Sequence, residues 1–415
     1  MHYFKFKKNN FYCEDLKIKD LVFRFKTPLY IYSARTAREH LAKLKAAFAT
    51  FKPLICYSVK ANSNLSLLKL LVSQGAGLDI VSGGELYRAK KIKCLPKKIV
   101  YASVGKTDQE IKDAMNYGIL MFNVESIAEL MRINSIAKGL KEKICVALRF
   151  NPDVEPETHK YITTGKKDTK FGMDYKTIKE IFHNSHKYSS LTIAGLHMHI
   201  GSQITQSKPF INAIKKAKKL IKELGSLAKS FKYLNIGGGL GIVYDKEKPQ
   251  TAKEFSKKIS PLLKSINLKI ILEPGRFIIG NAGILVTKVI YTKEAHKKKF
   301  IIVDAAMNDL LRPSLYNAYH KIVEVDNIQR KSSRNRADVV GPICESGDFL
   351  GKDRDLDPKD GKYLAVLGAG AYGFSMSSNY NSRRRPAEVL VRGNRVYLIR
   401  KREDFKDLIR GELII

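Results

Sequence analysis

At 415 residues the chain exceeds a single ordinary domain, and its 44% hydrophobic content supplies large cores, which excludes global disorder. Its formal charge of +35 would attract anions such as nucleic acid. The lysines are spread along the whole chain without zinc-finger, RRM-like or basic-zipper signatures, so solvated lysine faces are the preferred reading and no nucleic-acid partner is expected.

Five cysteines (Cys13, Cys56, Cys94, Cys145 and Cys344) form no C-x-x-C pair, which disfavours a disulfide framework or a zinc site and favours reduced thiols in a cytoplasm. The opening MHYFKFKKNNFYCEDLKIKD lacks the apolar core of a signal peptide. No apolar stretch approaches the roughly 20 residues of a membrane span. A soluble, cytoplasmic protein with no membrane partner is expected.

In chain order, Thr27–Ser33 reads as a strand, and a helical pattern runs from Thr36 to Phe51 with Ser33 as its start signal. Short Ile-, Val- and Leu-rich runs then alternate with helical stretches as far as Gly283. The strand candidates are Leu54–Val59, Leu78–Val81, Ile99–Ala102, Met121–Val124, Ile144–Phe150, Thr192–His199, Tyr233–Ile236 and Lys269–Leu272. Eight such units imply parallel strands and fit a closed (β/α)8 barrel, an α/β fold whose chemistry sits at the C-terminal strand ends. Beyond residue 284 the runs Ile284–Tyr291, Phe300–Val303, Tyr363–Val366, Ala387–Val391 and Arg395–Ile399 follow one another without long helices, which predicts a mostly antiparallel β domain. Periodicity alone leaves open whether the N-terminal strand joins it. The division drawn is 1–35 as a segment joining the β domain, 36–283 as the barrel and 284–415 as the C-terminal β domain.

The polar residues just past the barrel strands are Lys60, Ser82, His199, Gly237–Gly239 and Glu273–Arg276. A lysine amine at a barrel mouth can condense with an aldehyde cofactor, although Lys60 taken alone in so lysine-rich a chain reads as a surface lysine. The run Gly237-Gly238-Gly239 lets backbone N–H groups close around a phosphate, and taken alone is equally a tight turn. Glu273 can pair with a protonated ring nitrogen, and Arg276 can bind a phosphate or carboxylate with its forked donors; a local ion pair is the plainer alternative. His197 and His199 are expected on opposite faces of their strand, so that only one lines a pocket. No carboxylate or cysteine lies at ligand spacing from them, and no metal is expected.

Together, a lysine, an imidazole, a phosphate-cradling loop and a Glu/Arg pair are the parts that pyridoxal phosphate requires. The motifs YSVKANSN, GLDIVSGGEL, HKYITTGKKDTKFGMD, GLHMHIGSQI, NIGGGLGI, EPGRFIIGNAG, RPSLYNAYH, GPICESGDFLGKDR and YGFSMSSNYN carry a resemblance over essentially the full chain. The chain resembles the diaminopimelate decarboxylase branch of the alanine racemase-like (fold type III) pyridoxal-phosphate family. That resemblance implies that Lys60 forms the covalent link to the cofactor and that His199 stacks on its ring. It puts Ser202, Gly237, Gly238 and Gly239 near the phosphate and Asp79, Pro274 and Gly275 among the cofactor contacts. Glu273 would keep the pyridine nitrogen protonated, and Arg276 would lie in the binding segment for cofactor and substrate. Arg312 and Tyr316 would hold the substrate's distal carboxylate, Glu345 its distal amine, and Tyr372 both cofactor and substrate. Cys344 would donate the proton, reaching with Glu345 from a second subunit, so a homodimer is implied.

The implied activity is decarboxylation of meso-2,6-diaminopimelate, a small amino-acid substrate, to L-lysine and CO2. Met198 stands where the family commonly has cysteine, a difference expected to concern packing. Asp326–Arg336 is less recognisable and is expected to be a surface loop. Arg312 with Glu345 offers one cation and one anion, which suits a zwitterionic far end and leaves ornithine or arginine facing an unmatched guanidinium. Among related decarboxylases, one for carboxynorspermidine is harder to set aside because that substrate also presents a carboxylate. Alanine racemase matches the glycine loop and the CESGD segment less well.

Overall fold

The computed structural model describes residues 2–155, 164–165, 169–296, 298–326 and 336–415. Parts of the HKYITTGKKDTKFGMD motif and nearly all of the expected Asp326–Arg336 loop lie outside the described residues. The chain forms two compact units. One comprises Met1–Glu39, Val243–Glu247 and Ile278–Ile415; the other comprises His40–Ile242 and Lys248–Phe277. These seams fall a few residues from those drawn on the sequence, because the helix that opens the barrel, Ala34–Ala47, straddles the first of them.

The first unit begins with an antiparallel meander of β1 (Phe4–Lys7), β2 (Asn10–Cys13) and β3 (Leu16–Lys17), followed by α1 (Ile18–Phe25) and β4 (Leu29–Ser33). Ser33 Oγ accepts from the Thr36 N–H at 3.0 Å and so starts α2 (Ala34–Ala47) as the sequence anticipates. In the second unit eight parallel strands close a barrel: β5 (Leu54–Ser58), β6 (Gly77–Ile80), β7 (Ile99–Tyr101), β8 (Met121–Val124), β9 (Ile144–Arg149), β10 (Leu191–His197), β11 (Tyr233–Asn235) and β12 (Lys269–Leu272). The linking helices are α3 (Leu65–Ser73), α4 (Gly83–Lys91), α5 (Asp108–Tyr117), α6 (Ile127–Gly139), α7 (Tyr175–His183), α8 (Lys208–Leu224) and α9 (Ala252–Lys264). Capping boxes at Thr107/Glu110 and Thr251/Glu254 satisfy the first N–H groups of α5 and α9. The barrel floor is apolar, a cluster of Cys56, Val100, Met121, Ala147 and Ile271.

After α10 (Arg276–Ile279) the chain returns to the first unit. Its strands are β13 (Gly283–Ala295), β14 (Lys298–Val303), β15 (Ile322–Glu324), β16 (Ala337–Val340), β17 (Phe349–Arg354), β18 (Tyr363–Val366), β19 (Ala387–Arg392) and β20 (Arg395–Arg400), with α11 (Arg312–Tyr316) and α12 (Phe405–Leu408) between or after them. Pairing is antiparallel except at β14/β16 and β4/β19. The N-terminal strand β4 lies between β13 and β19. One face of β4 buries Leu29 and Ile31 with Ile284, Val286 and Val389, while Tyr30 and Tyr32 on the other face donate to the Asp309 carbonyl (2.6 Å) and the Glu388 carboxylate (2.7 Å).

Candidate active site

Side chains on a strand repeat every two residues, so the position two beyond each floor residue points into the same lumen one layer higher. At that level apolar gives way to polar. Ser58 follows Cys56, Asn123 follows Met121, Arg149 follows Ala147, Asn235 follows Tyr233 and Glu273 follows Ile271. Glu273 is buried among them: Oε1 accepts from Asn123 Nδ2 (3.0 Å) and Asn235 Nδ2 (2.6 Å), and Oε2 lies 3.1 Å from His197 Nε2. Burial alone would raise its pKa. His197, Lys60 and the Asn235 hydrogen bond outweigh that and hold the carboxyl well below the usual carboxylate range.

Lys60 sits on the 3-10 turn Val59–Ala61 that follows β5. Its ammonium reaches the buried Asp79 Oδ2 at 2.7 Å, and Ser58 Oγ lies 2.7 Å from the same oxygen. Asp79 is pushed upward first by burial and then by the Glu273 charge, against the pull of Lys60. Among the described residues, the buried Asp79 Oδ1 and His197 Nδ1 have no hydrogen-bond partner. His199 Nδ1 accepts from the Gly238 N–H at 3.2 Å, which leaves any ring proton on Nε2. Burial, then the charges of Arg149 and Lys60, hold His199 well below its ordinary pKa, so the ring is neutral. Arg149 pairs with Glu125 at 2.6 Å and donates weakly to the His199 carbonyl at 3.4 Å, while Glu125 also accepts from the Gly172 N–H at 2.9 Å. Arg276, at the start of α10, donates through Nη2 to Ser202 Oγ at 3.0 Å.

The glycine loop is shaped by close backbone approach. A Cβ at Gly238 would lie 2.0 Å from the Glu273 carbonyl, and one at Gly237, where φ is +68°, would lie 2.3 Å from the Met198 carbonyl. Three strand ends thus meet at a distance that only glycine allows.

In the β unit, Arg312 is buried at the start of α11, and Nη1 lies 2.7 Å from His320 Nε2. Tyr316 closes the same helix, partly buried. Ser314 donates to the Gly347 carbonyl at 2.6 Å, which ties α11 to the Cys344–Asp348 turn. Asp348 pins that turn by accepting from the Met307 (2.7 Å) and Ile343 (2.8 Å) N–H groups. Cys344 and Glu345 are exposed; Glu345 Oε2 accepts from Tyr380 at 2.7 Å, and the Cys344 N–H donates to Asn381 Oδ1 at 2.8 Å. Tyr372 adopts a φ of +56°, in the left-handed region.

Comparison with known proteins decides the family. Residues 34–280 match the model for the pyridoxal binding domain of pyridoxal-dependent decarboxylases. A diaminopimelate decarboxylase of Aquifex aeolicus is 49% identical, covering 100% of this chain and 98% of that protein. The chain belongs to the diaminopimelate decarboxylase family. The solved structure of the Helicobacter pylori family member complexed with L-lysine superposes with a TM-score of 0.91 at 41% identity, over 95% of this chain and 98% of that one. That of the M. jannaschii family member in co-complex with L-lysine gives 0.94 at 37% identity, over 99% and 98%.

The family cofactor, pyridoxal phosphate, fits what the barrel offers. A lysine amine stands at the mouth, an ionised carboxylate lies one layer below, and a bare backbone loop lies beside a buried arginine.

Two sequence expectations change. His197 and His199 do not diverge to opposite faces. Residues two apart share a face, β10 ends at His197, and the charge of His197 bears on His199. Ser82 is a helix cap: its Oγ accepts from the Glu85 N–H at 3.2 Å to start α4. The polar layer of Ser58, Asn123, Arg149 and Asn235 escaped sequence reading, although the step of two beyond an inward apolar residue is a usable signal. Glu85 escaped it too; burial, opposed by the Lys60 charge, raises it to about 7.

Proposed function

We propose that the chain decarboxylates meso-2,6-diaminopimelate to L-lysine and CO2 with pyridoxal phosphate, as a cytoplasmic homodimer. The observation that carries this reading is the Lys60–Asp79 pair standing over a Glu273 that three partners keep ionised. When bound, the cofactor supplies an electron sink for the charge left at Cα as CO2 departs. Lys60 would hold the cofactor through its amine, and Asp79 is the partner that pairs with that amine. Glu273 keeps a proton on the pyridine nitrogen, since an adjacent anion raises that nitrogen's pKa. His199 supports the ring as a neutral face, and Arg276, Ser202 and the Gly237–Gly239 backbone bind phosphate, with Pro274 and Gly275 shaping the segment between Glu273 and Arg276.

At the substrate's far end Arg312 and Tyr316 take the carboxylate, and Glu345 takes the amine. Tyr372 contacts both cofactor and substrate. The Cα–carboxylate bond breaks, CO2 leaves, and Cys344 returns a proton to Cα. Cys344 and Glu345 would enter from the partner, a role that suits two adjacent side chains exposed on the single chain. Five free cysteines favour a reducing compartment, and no helix of the described residues is long and apolar enough to cross a membrane.

The test is CO2 release from meso-diaminopimelate and from ornithine, each with and without added pyridoxal phosphate. Release from diaminopimelate alone, and only with cofactor, is the expected result. Equal or faster release from ornithine would reject the substrate assignment.

A further inference from the structure

Cys344 and Glu345 stand exposed on the turn formed by residues 343–349, and the backbone of that turn is held from within. The Glu345 N–H donates to the Ile343 carbonyl at 2.8 Å, and the Asp348 N–H to the Glu345 carbonyl at 3.0 Å. The two side chains are a separate matter. An exposed glutamate has three rotatable bonds, and ordering it only when a ligand arrives lowers affinity. A second turn, Tyr380–Ser382, meets the first from the side. The Tyr380 O–H donates to Glu345 Oε2 at 2.7 Å, and Asn381 Oδ1 accepts the Cys344 N–H at 2.8 Å. The hydrogen bond to Glu345 and the charge of Glu345 hold the phenol above its ordinary pKa, so Tyr380 remains a donor. The second turn has its own anchor. Asn379 Nδ2 donates to the Arg383 carbonyl at 3.0 Å and to Glu403 Oε2 at 2.7 Å, and Arg385 Nε donates to Glu403 Oε1 at 2.6 Å.

We propose that Tyr380 and Asn381 are positioning residues for the reaction. Tyr380 aims the Glu345 carboxylate at the substrate's distal amine, and Asn381 fixes the backbone from which the Cys344 thiol projects. Two consecutive side chains thus brace two consecutive residues. A phenol suits this task because it is a neutral donor. It fixes one carboxylate oxygen without cancelling the charge that an ammonium would meet, as a lysine or arginine at 380 would. The other oxygen, Oε1, lies beside Gly347, where a Cβ would come within 3.3 Å of it; the missing side chain leaves room for a ligand on that side. Asn381 has a φ of +54°, in the left-handed region that asparagine enters more readily than most residues.

This inference rests on reading Glu345 as the distal-amine contact and Cys344 as the proton donor, and the experiment separates it from those readings. L-Lysine carries the amine and the carboxylate of the substrate's far end, whereas 6-aminohexanoate keeps that carboxylate and lacks that amine. Both are measured as inhibitors of diaminopimelate turnover by the cofactor-loaded protein. Tyr380→Phe is expected to weaken L-lysine by about 3- to 10-fold, the range for one net hydrogen bond, and to leave 6-aminohexanoate within about twofold. KM for diaminopimelate should rise by a similar factor with a smaller change in kcat. In a Glu345→Ala background Tyr380→Phe should add little, because a positioning residue acts through the group it holds. Asn381→Gly tolerates the same φ and removes the acceptor. It should lower kcat by about 3- to 10-fold, and Asn381→Asp, which keeps an oxygen in place, should restore most of that loss.

If Glu345→Ala weakens both inhibitors equally, the reading of Glu345 fails. If Glu345→Ala is selective for L-lysine and Tyr380→Phe is not, only the positioning role of Tyr380 is overturned. Equal weakening of both inhibitors by Tyr380→Phe would mark a general packing defect and reject that role as well. Parental kcat in Asn381→Gly, or an equally low kcat in Asn381→Asp, would strike Asn381 from the proposal. A Cys344→Ala protein of parental kcat would instead overturn the donor reading, and the role of Asn381 with it.

Discussion

Glu273 is worth most to the chemistry because of its ionisation rather than its bulk. Asn123, Asn235 and His197 fix its orientation, and their hydrogen bonds favour the charged form. Glu273→Gln preserves shape and most contacts but removes the anion. Turnover should fall by about 100-fold or more while cofactor affinity changes by no more than about threefold. Comparable steady-state rates for variant and parent would refute the role. Asp309 shows the opposite perturbation: burial raises it to about 7, against its hydrogen bond from the Ala306 N–H. The folded protein keeps the proton that the unfolded chain releases above about pH 4, so stability is fullest at acid pH and declines as pH rises through the window to about 7. Asp309→Asn keeps an acceptor for Ala306 and abolishes that decline. Its stability relative to the parent should therefore climb by up to roughly 4 kcal/mol between pH 4 and pH 7 and then level off. A difference in melting temperature that is flat across the window would show that Asp309 titrates normally.

At the scale of elements, the glycine loop is a spacer between β11 and β12 as much as a phosphate cradle. Gly238→Ala would drive a methyl group into the Glu273 carbonyl, which lies 2.0 Å from the Cβ position, so the loop or the segment carrying Glu273 must move. Cofactor retention should drop by at least about tenfold, with a stability loss of roughly 1–3 kcal/mol. Cofactor titration and thermal melts of the two proteins check this, and unchanged retention would mean that the loop yields freely. The eight barrel strands are legible in sequence because parallel strands covered on both sides are continuous apolar runs. The meander β1–β3 and the strands β15, β16 and β17 were not read. Ile322–Glu324 is too short to show a period, and Phe349–Arg354 mixes FLG with KDR, its pairing with β16 being set by tertiary register. Lys60, Glu273, Arg276 and the glycine run stood out as polar or bare punctuation after apolar strands. Asn123 and Asn235 lie within strands and looked like strand polarity.

For the whole molecule, the exposure of Cys344 and Glu345 bears on whether one chain suffices. If these side chains complete the site of a second copy, each site draws Lys60 from one chain and Cys344 from the other. Lys60→Ala and Cys344→Ala homodimers would then both be poorly active, the first also lacking the visible absorbance of lysine-linked cofactor. Mixing equal amounts after dissociation yields heterodimers in which one site carries both substitutions and the other carries neither. Random reassociation makes half the dimers mixed, so roughly a quarter of all sites regain the native set. Activity of the mixture should rise towards about a quarter of the parent value, whereas a site contained in one chain predicts no rise above the average of the two variants. Exposed side chains that served only solvation would leave the Cys344→Ala protein active before any mixing, so the two single variants and the mixture together separate a shared site from a private one without reference to the size of any interface.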